Sequence, residues 1–178
     1  MRPFQWTLLL ITVLAGILWV FLAQNWLFLN LFPGLLVGPG MNLEDYLQTG
    51  SSPSFAVLWI SCTVALLVWL ASTSSRRTRN AAEVRRMQPV WWFTTLLLVV
   101  LGCLYQLFFT VFLWQIRGES PIEGSAITSY PVPTAGWILL LAFVVLDVLL
   151  LFWLPTLLAS PRSHRLVVPG AVTLLGGR

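Results

Sequence analysis

Four runs of apolar residues, separated by short polar stretches, set the pattern of this chain. They extend roughly from Phe4 to Gln24, Ser54 to Ser72, Val90 to Ile116 and Ala135 to Ala159. A helix rises ~1.5 Å per residue, so a hydrocarbon core ~30 Å thick takes ~20 residues to cross. Each run therefore predicts one transmembrane helix. The third is longer than needed and predicts tilt or projection beyond the lipid. The first run follows Arg2 but exceeds a signal-peptide core, and Phe21 stands where a cleavage site before Gln24 needs a small residue. It is read as an uncleaved span.

The polar stretches orient these spans. All ten basic residues are Arg, and five of them, Arg76, Arg77, Arg79, Arg85 and Arg86, fall in the interval 73–89. Counted from the amino terminus, the five non-spanning segments carry 1, 0, 5, 1 and 3 Arg. Short basic loops stay on the cytoplasmic side. The alternation predicts a basic inner loop at 73–89, outer loops at 25–53 and 117–134, and both termini cytoplasmic, with the tail 160–178 inside. The same five Arg also suit anionic lipid headgroups. The outer loop 25–53 opens on an apolar stretch, residues 25–37. It has three readings: an extension of the first helix, an interfacial segment or a re-entrant loop. The tail is apolar around Pro169 and Gly170, which suits docking on the membrane surface or on another protein. Pro155 predicts a kink near the inner end of the last span.

Composition agrees with the membrane reading. The chain is 58% hydrophobic and 9% charged over 178 residues, where a soluble domain carries about a quarter charged residues. Its net charge of +4 is a topology signal at membrane boundaries, so no nucleic-acid partner is expected. The fold class is thus an all-α integral membrane protein of four transmembrane helices in a bundle. A plasma or inner membrane is the expected location.

Asp147 stands out as the single charged side chain well inside a span. A carboxylate at that depth costs ~2.5–3.5 kcal/mol on insertion scales, so it must be protonated or turned toward donors in the bundle. Candidate donors at similar depth are Thr12, Ser61, Thr63, Tyr105 and Gln106, with Tyr105 or Gln106 preferred for reach. Such a residue either relays a proton or cation, or hydrogen-bonds one helix to another. Small residues at Ala15, Gly16 and Gly102 suit close helix approach. Trp6, Trp26, Trp91, Trp92, Trp114 and Trp137 near span ends read as interfacial anchors.

Other chemistries lack their parts. Cys62 and Cys103 sit in different spans without a CxxC partner, and His164 stands alone. No metal site, cofactor or catalytic constellation is therefore expected. There is also no Walker A or dinucleotide fingerprint. The resulting expectation is a non-enzymatic accessory or assembly subunit of a larger membrane complex. Its partners would be the lipid bilayer and either other membrane subunits or further copies of itself. The alternative is an oligomeric channel or proton-coupled transporter that uses Asp147.

Overall fold

A computed structural model of the chain describes residues 3–37, 43–75, 81–112, 132–160 and 167–169. All regular structure among these residues is helical. Four of the helices are long and apolar enough to cross a membrane: Pro3–Asn30, Ser52–Ser74, Arg85–Thr110 and Thr134–Ala159. The second and fourth agree with the predicted runs to within two residues at each end. Arg76, Arg77, Arg79, Trp114, His164 and nearly all of the predicted loop 117–134 lie outside the described residues.

The first span is longer than its predicted run and extends to Asn30, about 42 Å of helix. Nothing in residues 25–30 breaks a helix, and the first breaking pair is Pro33-Gly34. A π-helical turn, Trp19–Gln24, is built into it. Of the three readings of residues 25–37, helix extension holds as far as Asn30. The chain then turns at Leu31 and Phe32 and forms a short helix, Pro33–Leu36, whose Leu36 is fully buried. The third helix begins well before Val90, at Ala81. Residues 81–88 are mostly good helix formers, so the helix starts in the polar stretch and takes in Arg85 and Arg86. Hydropathy marks where lipid begins, not where helix begins. Pro89 lies inside this helix, which continues through a π turn, Phe108–Phe112.

The fourth span also passes through its proline. A π turn, Leu149–Trp153, directly precedes Pro155, and the helix continues to Ala159. A proline ring collides with the carbonyl four residues back in an α-helix and has no N–H to offer it. The wider register just before Pro155 absorbs that conflict without ending the helix.

Polar side chains on the outside of the spans hydrogen-bond to their own helix. The hydroxyls of Thr7 and Thr94 reach Pro3 O and Val90 O, and the amides of Asn25 and Asn30 reach Phe21 O and Trp26 O, at 2.8–3.2 Å. These side chains are exposed, yet each returns its donor to the carbonyl one turn back. A surface facing hydrocarbon requires this, because no water is there to satisfy the donor.

The chain divides into two compact units: Met1–Gly16, Trp59–Val99 and Leu146–Arg178 form one, and Ile17–Leu58 with Val100–Val145 form the other. In the first, Gly16 lies so close to Trp59 that an added Cβ would be 2.5 Å from the indole nitrogen. Residues 153–160 act as a hub. Ser160 Oγ accepts from Trp69 Nε1, Thr156 Oγ1 accepts from Trp91 Nε1, and Ala159 O accepts from Gln5 Nε2, at 3.2–3.3 Å. Ser74 donates to Gln5 Oε1 at 2.8 Å, and Trp91 stacks on Phe152 at 6.0 Å. Trp91 is therefore a core residue, not an interfacial anchor, whereas Trp6, Trp26 and Trp92 are more than half exposed. Val167 and Val168 are buried, and Trp153 Nε1 donates to Pro169 O at 3.1 Å. This part of the tail docks on its own chain.

The second unit is built around Phe143, whose ring lies 4.6 Å from Phe28, 6.4 Å from Phe32 and 6.5 Å from Trp19. Phe28 also meets Phe55 at 5.9 Å. Two glycines allow the elements of this unit to meet. Gly102 lies against Val144 and Leu58, and Gly136 lies against the backbone carbonyl of Leu35.

Candidate functional site

Polar groups buried in the spans are the candidates for chemistry, and they fall into two sets. In the first unit, Asp147 is fully buried near the end of the helix Thr134–Val148. Cys62 in the same unit is also fully buried, and Thr63, the next residue, is half-buried. Both cysteines are free, and among the described residues no three His, Cys, Asp or Glu gather where they could hold a metal ion.

Tyr105 and Gln106, the preferred donors for Asp147, belong to the second unit. Tyr105 is half-buried and Gln106 is 1% exposed. Neither Gln106 Nε2 nor Oε1 has a hydrogen-bond partner among the described residues. Of the Arg cluster, Arg85 and Arg86 are exposed on the amino-terminal part of the third helix, where their headgroups are free to reach solvent or lipid phosphate.

The second set was missed in the sequence. Gln24 is 1% exposed and Ser51 is fully buried, and neither side chain has a hydrogen-bond partner among the described residues. Nearby in the chain, Ser52 Oγ donates to Asn25 Oδ1 at 3.0 Å, and Ser54 Oγ donates to Ser51 O at 2.6 Å. Tyr46 is fully buried with its hydroxyl 3.4 Å from Thr110 Oγ1. Burial pushes the Tyr46 phenol up to about 12, against the smaller opposing effect of the Thr110 hydrogen bond. Gln24 had a readable signal. It continues the apolar stripe Val20–Phe28 at four-residue spacing, which places it on the buried face once the helix is taken to Asn30. The chain matches no family model, no curated protein and no solved structure.

Proposed function

We propose that this protein is a non-enzymatic, four-span membrane subunit that supports or assembles a larger complex in a plasma or inner membrane. Its helices form a bundle, and both termini face the cytoplasm. One observation carries the proposal: over its most apolar stretch, the first span is only 17% buried by the rest of the chain. Its exposed face, with Phe4, Trp6, Leu10, Leu14 and Leu18, is wide and apolar. That face is left for lipid or for the helices of other subunits to cover. The Arg distribution supports the orientation.

Purification in mild detergent followed by intact-complex mass analysis tests this reading. Stoichiometric unlike subunits are the expected result. A pure homo-oligomer that carries ions or solute across liposomes would replace it with the second reading, a channel or proton-coupled transporter. The observation favouring that second reading is the complete burial of Asp147 within a span. Orientation is tested separately. A cysteine placed at Asn80 should resist impermeant thiol reagents in intact cells, and its labelling from outside would reverse the topology.

A further inference from the structure

We infer that the second unit contains a binding site for a small uncharged molecule able both to donate and to accept hydrogen bonds, held by the carboxamides of Gln24 and Gln106 and the hydroxyl of Ser51. The three side chains are at most 1% exposed, and their five polar atoms have no hydrogen-bond partner among the described residues. Buried polar groups in folded proteins are otherwise almost always satisfied, by protein or by bound solvent. Other amides of this unit show that the helices can satisfy such groups when nothing else does. Asn25 and Asn30, exposed on the first span, fold back onto carbonyls of their own helix. Gln24 and Gln106 do not.

Two hydrogen bonds draw the three residues toward one region. Ser52 and Asn25, the chain neighbours of Ser51 and Gln24, are bonded to each other at 3.0 Å. Tyr46 joins the start of the same turn to Thr110 at 3.4 Å, and Gln106 lies one turn before Thr110 on the same helical face. The backbone adds an independent sign. Of the π turns in this unit, Trp19–Gln24 ends on Gln24, Leu47–Ser51 ends on Ser51, and Phe108–Phe112 begins two residues after Gln106. Such turns are concentrated at functional positions because they redirect a side chain from the regular ladder.

The donor set defines the ligand. Each carboxamide offers two N–H donors and an oxygen with two lone pairs, and the serine offers one of each kind. None of the three is charged, so an ion would lose its hydration without a counter-charge in return. Water fits this chemistry, and so does a uncharged solute such as glycerol or urea. The inference holds whether the protein is a subunit of a complex or a homo-oligomer.

Water-edited solid-state NMR on the full chain in liposomes, with isotope-labelled glutamine and leucine, tests it. The two side-chain amide signals are assigned by their loss in Gln24→Leu and Gln106→Leu. Gln24→Asn and Gln106→Asn serve the same purpose if a leucine variant does not accumulate. Both amides should receive magnetisation from water as fast as the exposed Gln48, while the methyls of buried Leu140 stay dark. Persistence of that transfer in the presence of glycerol or urea identifies water as the ligand. Loss of the transfer together with a shift of both amides identifies the solute instead. Amides that receive nothing from water and do not respond to either solute would overturn the inference.

Discussion

Replacing Gly136 with Ala adds one methyl group at the tightest backbone approach in the second unit. An added Cβ would fall well inside contact distance of the Leu35 carbonyl oxygen, 3.2 Å from its carbon and 2.7 Å from Val132 Cγ1. A side-chain neighbour can rotate away, but a backbone carbonyl moves only with its whole segment, here the short helix Pro33–Leu36. Overpacking of this kind costs about 1–3 kcal/mol. Against it stands the gain of alanine over glycine in a helix, at most about 1 kcal/mol and less near the amino-terminal end where Gly136 sits. The net loss is about 1–2 kcal/mol. On the scale of soluble domains of this size, the fall in midpoint is roughly 2–8 °C. The assay is thermal unfolding in detergent followed by intrinsic tryptophan fluorescence. Gly34→Ala is the internal control, because a Cβ there meets nothing within 4 Å. Gly102→Ala should fall between the two, since its nearest contacts are side-chain methyls of Val144 and Leu58 rather than backbone. A Gly136→Ala protein as stable as wild type, or less affected than Gly34→Ala, would refute the close-approach argument.

Three further outcomes follow from the same structure. Trp91→Phe keeps an aromatic ring near Phe152 but loses the 3.2 Å hydrogen bond to Thr156, which costs about 1 kcal/mol, and adds the cost of the space left by the smaller ring. Because Thr156→Val removes the same bond, the double variant should lose less than the two singles together, as read from the same fluorescence melts. Asp147→Asn should leave thermal stability unchanged, while Asp147→Ala lowers it by about 1 kcal/mol, read from the same melts. An Asn variant that assembles normally yet loses proton flux in liposomes would instead favour the transport reading. Tyr46 makes stability depend on alkaline pH. Its folded value of about 12 exceeds the ordinary 10.0, so its contribution is complete below pH 10 and is lost as pH rises toward 12. The loss amounts to roughly 2–3 kcal/mol by linkage, and Tyr46→Phe should flatten that part of the stability–pH curve.

Span number and approximate span position were legible because apolar length is a one-dimensional signal. Helix ends were not, since lipid and helix stop at different residues: Ala81–Gln88 is polar yet helical, and Asn25–Asn30 is helical beyond the predicted end of its span. The fate of Pro155 was half visible. Its missing donor can be read from the residue name, but the π turn that accommodates it is a property of the folded backbone. Gly16 and Gly102 were recognised as small, while Gly136 was not, because the carbonyl it meets comes from a residue a hundred positions earlier. Ser51 was hidden by the same limit, whereas Gln24 could have been read from its place in the stripe Val20–Phe28 had the first helix been taken to Asn30. Asp147 was visible because a single carboxylate in hydrocarbon is conspicuous by chemistry alone.

The hub at residues 153–160 also has a bearing on synthesis. Gln5, Trp69 and Trp91 are made early, but the atoms that receive their hydrogen bonds appear only when the final helix leaves the ribosome. Until then the first three spans lack these acceptors, so the contacts that tie Gln5, Trp69 and Trp91 to residues 156–160 can close only once the fourth helix is complete.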